Sequence, residues 1–254
     1  MACSALMLAS ASVSFAAKKE ENKQTLAEWA AEQTATLPEY VEGVKMYRPE
    51  VANESLIISD LVDIKKEKGK QVFLKALMYA RERLDDETER IEAVDFKNNR
   101  FTIRGTKAVA RKDKPETYSY VEAFQGSDGI LSFSCGDINV HFKEKGLLPR
   151  TLKFEKLNPQ SNARDREFIE DLSYAFSDRI GDLVKYIYEH PDIVINHENE
   201  IIQGKVVLGM NPDEVRLTLG QPFSEKKTGD RIKWLYENGN SVIFTDGKVT
   251  HVMM

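Results

Sequence analysis

The residues that could carry chemistry in this chain are few and widely spaced. Cys135 stands shortly before His141, and a thiol beside an imidazole base is the elementary acyl-transfer pair. Cys135, however, alternates with Leu131 and Phe133 in "GILSFSC", which places it on the inward face of a strand, where cysteine behaves as a small hydrophobe. The other histidines are His190, His197 and His251. None has the helical spacing of a paired metal ligand, and there is no Cys/His cluster, so no metal and no cofactor are expected. His190 before Pro191 reads as a cation at a helix C-terminus, and His197-Glu198 as a linker pair. "RLDDETE" at 83–89 gathers carboxylates that acid/base catalysis or calcium would use; at the end of a helix it reads as a solvated terminus. "GSDG" at 126–129 reads as a turn and not as a nucleophile. No nucleophile elbow, phosphate loop or dinucleotide fingerprint is present. The expectation is a non-enzymatic protein, with a hydrolase built on Cys135 and His141 as one alternative.

The elements that would position these residues fit in 254 residues, room for two domains. Charged residues at 30% and apolar ones at 41% describe a globular chain. A formal charge of -5 and a pI near 5.6 argue against nucleic acid as a partner. "KKEKGK" at 65–70 and "RKDK" at 111–114 are broken by acids and read as solvated turns.

The first residues, "MACSALMLASASVSFAA", carry no charge before Lys18 and end in the small-residue pattern Ser14-Phe15-Ala16. They read as a secretory signal at 1–17, cleaved after Ala16 or Ala17, with the basic start expected upstream of Met1. A lipidated Cys3 is the alternative, which would tether the chain to a membrane. Cleavage leaves Cys135 as the sole thiol, so no intramolecular disulfide is expected. Residues 18–49 follow as a short helix and linker; Leu26, Trp29 and Ala30 have helical spacing, and Trp29 either covers a core edge or belongs to a tether.

The first folded domain is expected over 50–191. "SLIISDLVDI" reads as a buried strand. Gly69 then opens a helix with Phe73, Ala76, Leu77, Ala80 and Leu84 as its apolar stripe. "IEAVDF" and "FTIRG" form a hairpin around Asn98-Asn99. "TYSYVEAF", "GILSFSC", "INVHF" and "RTLKFEKL" supply further strands, with Gly126, Gly129 and Gly136 as breaks. A long helix runs from Asn162, its cap, to Glu189. The order predicts an α+β fold with helices on one face of an antiparallel sheet. This outline resembles the helix-grip arrangement of a TATA-binding-protein-like domain of unknown function found in exported bacterial proteins. That resemblance implies a binding or scaffolding module.

A second domain is expected over 197–254. In "GMNPDEVRLTLGQP" Asn211 and Glu214 make a capping box with Pro212 in the first turn, and Gly220 with Pro222 stop the helix. "KTGDR", "ENGNS" and "TDGKV" are turn signals between strands in which Ile232, Trp234 and Tyr236, then Val242 and Phe244, alternate. The helix is expected to lie on this meander, and the small domain to lean on the long 162–189 helix. "VVLGMNPDEVRLTLGQP" followed by "WLYENGNSVIFTDGKVTHV" resembles the SmpA/OmlA family of small outer-membrane proteins. The resemblance implies a periplasmic or outer-membrane-associated module contacting protein partners of the envelope. Met210, Trp234, Tyr236 and Phe244 read first as residues that build this fold, as cap, stop, turn or core; the alternative is an exposed patch in which they are the candidate contact residues with Val249 and His251, and the strand "VTHVMM" is an edge for strand addition. A small-molecule or lipid carrier, with a cavity between the long helix and the sheet, is the other alternative.

Overall fold

The computed structural model describes residues 40–41, 44–45, 47, 49–52, 55–84, 87–108, 117–142, 150–157 and 163–254. The expected signal at 1–17 with Cys3, the helix around Trp29, the "RKDK" turn and the Asn162 cap lie outside the described residues. No helix among the described residues is long and apolar enough to cross a membrane.

The strands are β1 (Tyr40–Val41), β2 (Val44–Lys45), β3 (Pro49–Ala52), β4 (Ser55–Asp63), β5 (Glu89–Asp95), β6 (Arg100–Ala108), β7 (Thr117–Ser127), β8 (Ile130–Phe142), β9 (Arg150–Lys153), β10 (Ser224–Thr228), β11 (Arg231–Leu235), β12 (Ser241–Thr245) and β13 (Lys248–Met253). The helices are α1 (Gly69–Arg83), α2 (Ala163–Glu189), α3 (Glu198–Ile202) and α4 (Pro212–Leu219). A seven-stranded sheet runs β3-β4-β8-β7-β6-β5, with β9 also on β8, while β10 to β13 form a four-stranded sheet in chain order. The α+β class with antiparallel sheets holds. So does the placement of helices on one face, and β7 shows why. Tyr118, Tyr120, Glu122, Phe124 and Gly126 alternate as its buried face. Phe168 of α2 meets Tyr118 at 6.1 Å between ring centroids, and the start of α1 lies against Gly126.

Contacts divide the chain into two compact units, residues 1–59, 108–118 and 136–178 in one, and 60–107, 119–135 and 179–254 in the other. In the first, Phe168 also packs on Phe154, and the guanidinium groups of Arg150 and Arg164 stand 5.2 and 4.9 Å from the Phe142 ring. Ser177 accepts from the Tyr47 amide and donates to the Ser173 carbonyl, both at 2.7 Å.

In the second unit α1 seats on the sheet through two glycines. A Cβ on Gly126 would stand 2.5 Å from the Gly69 carbonyl oxygen and 2.6 Å from the Phe73 nitrogen, so only hydrogen fits there. The Asp128 side chain, in the β7–β8 turn, accepts from the Gly69 amide at 2.7 Å; "GSDG" is thus a turn that also anchors a helix. Behind it Phe73, Phe96, Phe101 and Phe124 form a chain of ring contacts. The sequence marks α1 as one apolar stripe, but Val72 to Ala80 are all buried. The reason is a second covering layer: α4 packs on α1, and Gln71 exchanges hydrogen bonds with the Ile193 backbone. Lys75, 2% exposed, pairs there with Glu67 and Asp192. The C-terminal segment, expected to lean on 162–189, meets α1 through α4.

One further expectation is corrected. "GILSFSC" and "INVHF" form one strand, in which the burial alternation slips at Gly136-Asp137, where Asp137 takes φ 50°.

Candidate functional site

Charge is concentrated inside the second unit, where β5, β6, β7 and α2 converge. Glu89 Oε1 accepts from Arg179 Nη1 at 2.7 Å, from the Tyr120 hydroxyl, and from Lys107 Nζ at 3.1 Å. Arg179 Nη1 also lies 3.1 Å from the Tyr120 oxygen and 3.3 Å from Glu122 Oε2. The contact with Glu122 is ionic without hydrogen-bond geometry, leaving that oxygen buried and without a hydrogen bond. Tyr120 on β7 reaches Glu89 on β5 because the residue between them, on β6, is Gly105. A Cβ there would stand 2.7 Å from the Tyr120 ring.

The two carboxylates are driven apart. Burial alone would raise Glu89, but Arg179, the Tyr120 hydroxyl and Lys107 outweigh it and hold Glu89 below its ordinary range. Burial raises Glu122, and Arg179 and Lys107 only partly oppose this. Divergent carboxylates are what acid/base catalysis uses. Here each side chain is only 3% exposed, so substrate has no access and the arrangement acts within the fold. Cys135 shares the environment: burial, reinforced by Glu122, pushes its thiol up and keeps it protonated. His141 falls in the half-buried phase of β8 and bonds Thr151 at 2.9 Å.

The "RLDDETE" reading needs correction at one residue. Glu87 is exposed, but Glu89 begins β5 on its inward face and is 5% exposed. A signal for this cluster was present: in "TYSYVEAF" Glu122 shares phase with Tyr118, Tyr120 and Phe124. Arg179 similarly follows Phe176 at helical spacing on the apolar face of α2.

In the C-terminal segment the capping box forms as expected, with Glu214 N to Asn211 Oδ1 at 2.9 Å and Asn211 N to Glu214 Oε2 at 2.8 Å. Glu214, though, is fully buried, because its other oxygen binds the chain before α3. Oε1 accepts from Asn196 N at 2.5 Å and His197 N at 2.9 Å, and lies 3.0 Å from His197 Nδ1. Desolvation opposes ionisation, but these backbone and side-chain bonds hold Glu214 below its ordinary range. His197 is thus part of a clamp and not a linker residue.

The candidate contact residues separate sharply. Met210, Trp234, Phe244 and Val249 are at most 2% exposed and make the core of the meander, so they offer no surface to a partner. Trp234 pairs across β11–β12 with Val242, packs on Phe244 at 4.6 Å, donates to Glu225 at 2.9 Å and carries Arg216 over its ring at 4.8 Å. Tyr236 is half-buried; its hydroxyl is buried without a hydrogen-bond partner, and burial pushes it up to about 12. His251 is exposed on β13. That strand is an edge of its sheet, and part of its outer side is already paired. Gly209 N donates to Val249 O at 2.9 Å, and Val249 N to Met210 O at 2.8 Å. His190, at the end of α2, stacks on Tyr186 at 4.9 Å. Among the described residues no group of three or more His, Cys, Asp or Glu is placed to hold a metal.

Neither a protein-family model nor a curated protein sequence matches the chain. Among solved structures, the chain is similar to a TBP-like protein from Parabacteroides distasonis ATCC 8503. The identity is 13% and the TM-score 0.50, covering 56% of this chain and 97% of that one. It is also similar to a DUF4468 family protein from Bacteroides ovatus ATCC 8483, at 14% identity and a TM-score of 0.45, over 58% of this chain and 94% of that one. The first likeness shows the fold: an α+β, TBP-like arrangement.

Proposed function

We propose that the chain is an exported, non-enzymatic module of the cell envelope that binds protein partners, and that the outer edge of β13 is where an extended partner segment adds. The observation that carries this reading is the asymmetry of the four-stranded sheet. One edge, β10, presents Glu225, Lys226 and Lys227 to solvent, the charged guard that discourages strand pairing. The other edge has already accepted Gly209–Met210 at Val249. Beyond it lie His251, Val252 and Met253, with Met253 54% exposed and no ionised carboxylate or lysine among them. Export follows from the signal-like residues 1–17, and an envelope location also from the SmpA/OmlA-like pattern of the C-terminal segment.

The test is a guard placed on the open edge. A His251→Lys/Met253→Lys variant is expected to keep its fold and to lose the proteins that the unaltered chain captures from an envelope fraction. Amides of residues 250–253 should be protected from hydrogen exchange in the captured complex only. Unchanged capture by the variant removes the edge from the proposal. A mature N-terminus read by mass spectrometry as Met1 in the natural host would remove the export reading.

A further inference from the structure

The four-stranded sheet of the second unit has two faces of opposite character. On the side where Arg216 of α4 covers Trp234, the residues Trp234, Val242, Phe244 and Val249 are buried. Alternation turns their neighbours to the other side, and the register arranges those in rows across the strands. Lys226 stands opposite Lys233, Lys233 opposite Ile243, and Ile243 opposite His251. In the next row Thr228, Arg231, Thr245 and Lys248 stand opposite one another in turn. Lys226, Arg231 and Lys248 are exposed and Lys233 is half-buried. Among the described residues none of these four cations is held in an ion pair.

The carboxylates of this sheet lie elsewhere. Asp230 and Asp246 sit in the two turns at one end of the face, and Glu237 in the turn at the other. Glu225 faces the Trp234 side, where it accepts from the indole N–H at 2.9 Å. The face itself therefore carries cations from β10, β11 and β13 and no carboxylate. This is not what composition would supply by default, since the chain has 41 acidic against 36 basic residues. Nor is it free of cost, because like charges directly opposite each other on a sheet, as at Lys226 and Lys233, are destabilising. An opposite charge brought against the face relieves that repulsion, so the cluster gains from meeting an anion and loses by staying bare.

We propose that this face rests on the surface of an anionic phospholipid bilayer. The cations are spread over the breadth of a sheet face and do not line a groove, whereas an acidic peptide is taken up in a groove or along a strand edge. A broad cationic face matches a broad anionic surface, where each lysine or arginine adds a comparable increment of attraction. Thr228 and Thr245 stand in the same row as Arg231 and Lys248 and supply hydroxyls to phosphate oxygens. Ile243 and Met253, the latter 54% exposed, lie on the same side and can reach past the headgroups, as apolar side chains of interfacial proteins do. The contact is reversible and salt-sensitive. It rests on the envelope location proposed above, but not on the backbone edge of β13.

The test is sedimentation of the whole chain with vesicles of phosphatidylcholine alone, or of phosphatidylcholine with about 30% phosphatidylserine. Binding to the second kind is expected to be at least about 10-fold stronger, and to weaken several-fold as salt rises toward about 0.5 M. Lys226→Gln/Lys233→Gln should lose about 5-fold for each lysine removed. Its urea midpoint should be no lower than that of the unaltered chain, because a like-charge pair has been relieved. Lys205→Gln/Lys227→Gln removes the same charge away from this face and should bind nearly as the unaltered chain does. An equal loss from the two variants would assign the binding to net charge and overturn the proposal, as would equal sedimentation with both kinds of vesicle. Binding of a fluorescein-labelled oligoglutamate that depends on Lys226 and Lys233, with no sedimentation on vesicles, overturns the bilayer in favour of an acidic protein segment. The His251→Lys/Met253→Lys variant separates this contact from the strand-addition reading: it adds two cations to the face and should sediment at least as well, although it loses its protein partners. If vesicle binding fails while that variant still loses its partners, the binding-module reading stands without the membrane contact.

Discussion

Arg179 is the residue on which the buried charges of the second unit depend, because it is the cation that touches both Glu89 and Glu122. Replacing it with leucine leaves both carboxylates inside without that partner, and breaking a buried pair from one side typically costs about 3–5 kcal/mol. Arg179→Leu should therefore lower the denaturation midpoint sharply at pH 8 and less at pH 5, where the carboxylates protonate more readily. An equal loss at both pH values would show that the cost is packing alone. The two acids make opposite contributions to wild-type stability. Glu89, lowered in the fold, stabilises above its ordinary 4.5, and that stability is lost as pH falls through the folded value. Glu122, raised in the fold, binds its proton more tightly in the native state, so its contribution is present at low pH and lost as pH rises above 4.5. Glu122→Gln should accordingly flatten the fall in stability as pH rises above 4.5, measured by urea denaturation, while the acid limb due to Glu89 remains.

At the scale of elements, the glycine contact between α1 and β7 and the Glu214 clamp decide whether the helices stay where they are. Gly126→Ala would drive a methyl into the Gly69 carbonyl and the Phe73 nitrogen. Both are backbone, so relief requires α1 to move, and the expected loss is about 3 kcal/mol or more. A midpoint within error of the wild type would deny that contact its role. Glu214→Gln keeps the volume but turns an amide N–H toward donors on one side, at a cost of about 1–3 kcal/mol. Asn211→Ala removes the cap alone, about 1 kcal/mol; a Glu214→Gln loss no larger than this would mean that Asn196 and His197 gain nothing from the clamp. These elements also mark what sequence can and cannot disclose. The capping box, the Gly220 stop, the hairpins at Asn98-Asn99 and Asp246-Gly247 and the long α2 were readable, because each is specified by residues close in the chain. The second partners were not. Glu214 reads as a cap, and nothing near it says that Asn196 and His197 will use its other oxygen. Lys75 reads as the polar side of a helix, and nothing near it in sequence says that Asp192 will pair with it. Alternation identified Trp234 and Phe244 as one side of a sheet, and of the two readings open to them, core and contact patch, burial selects the core, with Arg216 of α4 over the Trp234 ring.

At the scale of the whole molecule, the last sixty or so residues complete a layer that the earlier part of the same unit leaves unfinished. α1 meets the sheet on one side through Gly126 and the phenylalanine chain, and on the other meets α4. Bonds from Gln71 to Ile193, Lys75 to Asp192 and Lys70 to Glu198 fasten the same side. The C-terminal meander alone has Trp234, Val242, Phe244 and Val249 for a core, and a domain of that size buries only about 60% of its unfolded surface. Each part is therefore expected to need the other. A chain ending at His190 should bind a hydrophobic dye and aggregate, because the second side of α1 would face water. The fragment 192–254 should give the collapsed amide spectrum of an unfolded chain, and mixing the two should restore dispersion if the layer reassembles. A sharp, dispersed spectrum from 192–254 by itself would mean that the meander folds autonomously, and that its attachment to α1 fixes its position instead of its stability.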